Sequence, residues 1–323
     1  MRTGTKAWLI IAASLVLIGC VLFAGVMTTL QWDFLKLSTV AYETNIYEIS
    51  EAFDGITVNS DTADILFSLS DDGKCRVECC EEENGKHSVT VEDGILVIRL
   101  IDERSLSDFI GYIGLNFASP KITVYLPKAE YTSLFIREDT GDIGMLKDFM
   151  FRNVDISLST GDVEFRASAS EMIRIKTSTG DISVEDVSAG SLALTVSTGK
   201  VSAAGVNCDG DVTVGVSTGD AYLRDIACRN FVSGGSTGDI HLNHVIASEN
   251  FSVSRSTGDV TLESSDAAGI FIKTDTGDIA GSLLTGKVFA VSTDTGDIDV
   301  PDTAEGGRCE ITTNTGDVKL KIQ

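Results

Sequence analysis

The chain has 323 residues, with 25 Lys plus Arg against 48 Asp plus Glu and a formal net charge of −23 at pH 7. That balance excludes nucleic acid as a partner, because such binding needs phosphates neutralised by clustered cations, and it excludes docking on anionic lipid through a basic patch. A hydrophobic content of 43% belongs to a globular chain, not to an acidic disordered tail.

From Ala7 to Trp32 no residue is charged, a run of 26 residues, where roughly 20 suffice to cross a hydrocarbon core. Residues 1–32 are therefore expected to hold a short cytoplasmic tail and one transmembrane helix. Arg2 and Lys6 precede the run and Asp33 follows it, so the positive-inside bias puts the N-terminus in the cytoplasm and the bulk of the chain outside. Leu17-Ile18-Gly19-Cys20 also resembles a lipobox, and the segment has the position of a signal peptide. The apolar run continues well past Cys20, which favours a retained span over lipidation or cleavage. All three readings export the rest. Residues 33–50 read as a juxtamembrane connector.

Residues 51–138 have β character without a strict repeat and read as atypical N-terminal coils or a cap. Ser60-Asp61-Thr62-Ala63-Asp64-Ile65 looks like a degenerate repeat copy, with Thr62 four periods before Thr140. His87–Arg99 reads as a hairpin turning at Asp93-Gly94, and Lys121–Leu126 as a strand ended by Pro127.

Residues 139–323 are dominated by Thr-Gly-Asp or a one-letter variant, starting at Thr140, Thr160, Thr179, Thr198, Thr218, Thr237, Thr257, Thr276, Thr295 and Thr315. The spacing is 19 or 20 residues throughout, and Lys200 is the one departure from Asp. Apolar residues recur six and four positions before Thr and three after it, as in Ile173, Ile175 and Ile182 around Thr179, with Ser233 the polar exception four before Thr237. Polar residues lie between them, so each unit is strand, turn, strand with one face buried. Gly beside Thr permits a positive φ, and the Asp that follows can accept N–H groups left unpaired by the bend.

A hairpin meander and a β-solenoid both satisfy this pattern. The meander would need some twenty strands in one sheet, beyond the ~10 that open twisted sheets tolerate. The expected fold is therefore all-β: a parallel, single-stranded β-helix of 19–20-residue coils behind one N-terminal membrane helix. Ile122-Thr-Val-Tyr-Leu-Pro127, Leu134-Phe-Ile136 and the Ser-Thr-Gly-Asp copies together make residues 45–323 resemble a bacterial family of candidate adhesins built from repeated β-strands, a domain of unknown function. That resemblance implies a β-solenoid on the outer face of the envelope, often behind one membrane anchor, and it brings no catalytic residue.

Tests for chemistry give little. Gly215-Val-Ser217-Thr-Gly219 and Gly234-Gly-Ser236-Thr-Gly238 match a nucleophile-elbow pattern but fall out of the repeat. Asp239, His241 and His244 form no ligand pattern of established spacing. The stacked acids Asp220, Asp239, Asp259, Asp278, Asp297 and Asp317 are the candidates for a cation such as Ca²⁺, with turn capping as the competing explanation. Cys208 and Cys228 each lie ten residues after their Thr, so a solenoid stacks them as a disulfide or as two buried thiols, the latter favoured.

These observations favour a non-enzymatic protein of the cell membrane, acting in binding, adhesion or envelope structure, without a catalytic residue or cofactor. Its partners would be the cytoplasmic membrane it spans and a cell-wall polymer or envelope protein. A polysaccharide-processing β-helix enzyme and a cation-responsive sensor are the alternatives.

Overall fold

The computed structural model describes residues 3–32, 42–82, 85–102, 120–145 and 149–323. Helix α1 spans Thr3–Thr29, and its stretch Ile11–Thr29 has a mean hydropathy of 2.4 with almost no surface covered by the rest of the chain. It is long and apolar enough for a membrane anchor, and a signal sequence has the same properties.

The N-terminal β unit comprises β1 (Tyr42–Ile49), β2 (Gly55–Thr62), β3 (Asp64–Leu69), β4 (Cys75–Glu82), β5 (Gly85–Glu92), β6 (Ile95–Asp102) and β7 (Lys121–Leu126). The connector expected over residues 33–50 lies partly outside the described residues; from Tyr42 onward it is β1, paired antiparallel with β4. Strands β2 and β3 make the first coil. Thr62 pairs with Thr140 and Ile65 with Ile143, so the degenerate copy is a true coil seated directly beneath the first regular one. Among the described residues between the two threonines, none inserts a coil between these two levels. They return as β6 alongside β2 and β7 alongside β3, then as antiparallel β5 on β6 and β4 on β7. The expected hairpin is present, with Glu92 opposite Ile95 and positive φ at Asp93 and Gly94, the geometry of a two-residue turn whose twist suits the flanking strands.

From Glu130 onward every repeat pairs in parallel with its neighbour, Thr on Thr, as in Thr160 on Thr179 and Thr237 on Thr257. The fold is the expected β-solenoid. Residues six and four before Thr and three after it point inward; Ile173, Leu192, Val212, Phe231, Phe251 and Ile270 are at most 1% exposed. Burying each such side chain is worth roughly 1.5–3 kcal/mol, so the apolar columns hold the stack together.

Bends recur at three places along the coils of the solenoid's middle. The Thr-Gly bend was legible in the repeat. A second lies seven residues after Thr, where Asp186, Gly205, Asp225, His244 and Ser264 all have positive φ. The third absorbs the 19- versus 20-residue spacing, through register shifts at Ala169/Met172, Cys228/Asn230 and Ala247/Asn250.

At the C-terminal end the stacking order departs from the chain order. Thr276 pairs with Thr315, and Thr315 with Thr295. The final coil, residues 307–323, is thus interposed between the coils that contain Thr276 and Thr295. Its inward residues Cys309, Ile311, Val318 and Leu320 are buried, whereas in the outermost coil Ile298 is 47% exposed and Phe289 and Val291 are only partly buried.

Candidate functional site

The Thr-Gly-Asp bend is a hydrogen-bond ladder. At Gly258, φ is +143°, and a Cβ there would lie 2.0 Å from the Gly238 carbonyl oxygen; only glycine fits, which accounts for its recurrence. The Gly N–H donates to the Thr carbonyl of the adjoining coil, as Gly258 does to Thr276 at 2.9 Å. The carboxylate Oδ1 of each Asp accepts the backbone N–H one coil along: Asp239 N–H to Asp220 at 2.9 Å, Asp259 to Asp239 at 2.8 Å, Asp278 to Asp259 at 2.8 Å, Asp317 to Asp278 at 2.8 Å and Asp297 to Asp317 at 2.9 Å. The six cation candidates are therefore brought into line, with one oxygen of each of the first five (counting along the stack) committed to the next coil. Lys200 keeps the ladder bond, its N–H donating to Asp181 Oδ1 at 2.7 Å, while its ammonium lies 3.6 Å from the same carboxylate. Hydrogen bonds from Asp297 N–H and the Lys319 ammonium hold the Asp317 carboxyl below its usual range.

The other candidates are dispersed. His241 stacks on Tyr222 with ring centroids 4.8 Å apart, and His244 sits on the second bend with Nδ1 3.0 Å from Asp225 Oδ1. Neither joins Asp239. Ser217 and Ser236 are exposed at bends that lead into another strand, not the strand-to-helix elbow a nucleophile of that motif needs. Cys208 and Cys228 are both free, buried thiols. Burial pushes the Cys228 thiol up to about 12, with Cys208 adding to the effect.

Two clusters escaped the sequence reading. Within the solenoid, the Arg255 guanidinium is 2% exposed and donates from Nη1 to the Val216 carbonyl at 3.1 Å. Gly235 admits it, since a Cβ there would meet Nη1 at 1.9 Å. Its Nε and Nη2, like the nearby Ser233 Oγ, have no hydrogen-bond partner among the described residues. Burial lowers its pKa, against the fields of Asp220 and Asp239.

In the cap, Cys79, Glu81 and His87 converge, all buried. His87 Nδ1 lies 2.7 Å from Glu81 Oε2, which also accepts the His87 backbone N–H at 2.6 Å. Asn45 Nδ2 donates to Glu81 Oε1 at 2.8 Å, and His87 Nε2 lies 3.0 Å from Ser60 Oγ. Desolvation pushes the Cys79 thiol up to about 12, with the Glu81 charge adding to it. Strand alternation already placed Cys79 and Glu81 on one face; an inward glutamate was the signal that this face held something other than core.

The cap also carries a cleft of about 730 Å³ where three connections meet: Glu48–Phe53, Ser70–Arg76 and the stretch from Tyr125 to Tyr131. The Arg76 guanidinium carbon lies 4.3 Å from the centroid of the Tyr125 ring, and Phe53 stacks on Tyr131 with centroids 6.0 Å apart. Lys74, Glu51, Asp71 and Asp72 line it as well.

With this geometry in view, the family model described as Toastrack DUF4097 matches residues 53–215 and again 206–323. The chain belongs to the Toastrack DUF4097 family. The two matches together take in the cap from β2 onward and the whole solenoid. Among solved structures it is similar to a candidate adhesin from Bacteroides fragilis, at 14% identity and a TM-score of 0.42, covering 87% of this chain and 97% of that one. A candidate lipid-binding protein from Parabacteroides distasonis is 18% identical with a TM-score of 0.46, over 88% and 98% of the two chains. A candidate cell adhesion protein from Clostridium sporogenes is 11% identical with a TM-score of 0.26, over 88% and 100%. No curated protein matches.

Proposed function

We propose that this Toastrack protein is a non-enzymatic binding protein, anchored by α1 with its N-terminus in the cytoplasm, whose extracytoplasmic cap holds a cell-wall polymer. The observation that carries this reading is the cleft built by three connections on a rigid β scaffold, the usual placement of a binding site. Its walls pair aromatic faces with polar and charged groups. The Tyr125 ring and the Arg76 guanidinium offer a flat, partly apolar surface to a sugar ring, while Lys74 and the acids Glu51 and Asp72 offer hydrogen bonds. Arg2 and Lys6 before the span, against Lys36 alone in residues 33–50 after it, support the orientation.

The test is co-sedimentation of the full chain, purified in detergent, with isolated cell-wall glycan. Tyr125→Ala and Arg76→Ala are expected to weaken binding about tenfold each, the scale of one well-placed contact. Binding untouched by both variants removes the cleft from the reading, release of glycan fragments removes its non-enzymatic part, and capture of an envelope protein instead of glycan replaces the partner.

A further inference from the structure

We propose that Cys79, Glu81 and His87 form a metal site of the zinc class inside the cap. Cys79 and Glu81 are two residues apart on β4, so the pleat turns both side chains inward. His87 comes from β5, which joins the opposite ladder of the cap through β6 and β2. One ligand atom from each lies within 4.8 Å of the other two. A thiol, a carboxylate and an imidazole form the donor set that Zn²⁺ accepts; a hard cation such as Ca²⁺ takes oxygen alone.

The surroundings are arranged as the outer shell of such a site. Ser60 Oγ is placed to accept a hydrogen bond from His87 Nε2–H, so that Nδ1, which shares a proton with Glu81 Oε2 at 2.7 Å, becomes the metal-binding nitrogen once that proton leaves. Asn45 holds Glu81 by Oε1 and leaves Oε2 turned toward the imidazole. Metal-bound histidines and carboxylates are typically fixed by second hydrogen bonds of this kind. Tetrahedral zinc, with bonds of about 2.0–2.3 Å, places its ligand atoms roughly 3.3–3.6 Å apart. Loading therefore opens the 2.7 Å contact between Nδ1 and Oε2 toward tetrahedral spacing, with water as fourth ligand. The thiol proton and the proton held between Nδ1 and Oε2 leave to solvent as the metal enters, so binding is tighter at higher pH. A metal so held staples β4 to β5 and ties the two ladders of the cap together.

The experiment measures metal in the full chain purified in detergent without chelator. About one zinc per chain is expected after dialysis, falling at least tenfold in Cys79→Ser and in His87→Gln but not in Cys309→Ser, a buried thiol of the solenoid. Loading with Co²⁺ alone is expected to give a thiolate-to-cobalt charge-transfer band that Cys79→Ser lacks. A wild-type chain that holds no zinc and shows no such band overturns the proposal, as does His87→Gln with unchanged content. Should the variants fail to fold, X-ray absorption of zinc-loaded wild type decides: one sulfur beside nitrogen and oxygen neighbours supports the site, and a shell without sulfur, or with several, overturns it.

Discussion

Glu138 stands two residues before Thr140, at an inward position that Leu158, Thr177, Val196, Val216, Gly235 and Arg255 fill in later coils. Because charged, apolar and small polar residues and a glycine mix along this position, no column was legible there, although the position adjoins the same bend in every coil. Glu138 is 3% exposed; its Oε1 accepts the Ala63 N–H at 3.0 Å, while Oε2 has no partner among the described residues. Burial raises its pKa to about 8 from the usual 4.5 of a glutamate, against the lowering effect of the Ala63 bond. Between those two values the folded chain holds a proton that the unfolded chain has lost. Stability therefore falls as pH rises from about 4.5 to 8 and levels off above, by up to about 3 kcal/mol at 1.36 kcal/mol per unit with allowance for partial screening. Glu138→Gln should abolish that slope and be the more stable form at pH 9. Urea midpoints of both proteins at pH 5, 7 and 9 measure it, and parallel curves would refute the assignment.

One coil of the solenoid is an element whose local chemistry was largely readable from the repeat. The glycine is dictated by a positive φ and a 2.0 Å approach, and the aspartate by a backbone donor in the next coil. The second bend was not readable, because Asp186, Gly205, Asp225, His244 and Ser264 share only a backbone conformation. Four of those five residues carry side chains at positive φ, where the neighbouring coils fix the backbone against its intrinsic preference. At the readable bend, Asp259→Ala leaves the Asp278 N–H without its acceptor and should cost about 1–2 kcal/mol, as for a charge-assisted bond at an exposed site. Asp259→Asn retains Oδ1 and relieves repulsion from the neighbouring carboxylates, so its cost should stay below about 0.5 kcal/mol. Thermal melting of the two variants compares them, and equal losses would assign the column to charge and not to the ladder.

Over the whole molecule, the solenoid followed from period and alternation, but the order of its last coils did not. Every Thr-Gly-Asp coil presents its Gly N–H and Asp Oδ1 on one side and its Thr carbonyl and Asp N–H on the other, so the ladder accepts any such coil at any level and leaves the order to side-chain fit. Here Gly307 decides much of it: a Cβ there would meet the Ala268 carbonyl oxygen at 1.9 Å, so residue 307 lies tightly against that coil. Lys287, paired with Gly307 on its other side, reaches across to a buried ion pair with Asp266 at 2.5 Å. The interposed coil also brings four buried apolar residues, where the coil of Thr295 has mainly half-exposed ones. Cross-linking tests the order directly. Lys273 pairs with Thr312 and Thr312 with Ser292, all on outward positions. Neighbouring strands stand about 4.8 Å apart, inside the Cα span of a disulfide, and strands two levels apart stand at about 9.6 Å, outside it. The double variant Lys273→Cys with Thr312→Cys should therefore oxidise readily within one chain, and Lys273→Cys with Ser292→Cys should not. Sequential stacking would reverse the two results, because coil 287–299 would then lie directly on the coil of Thr276.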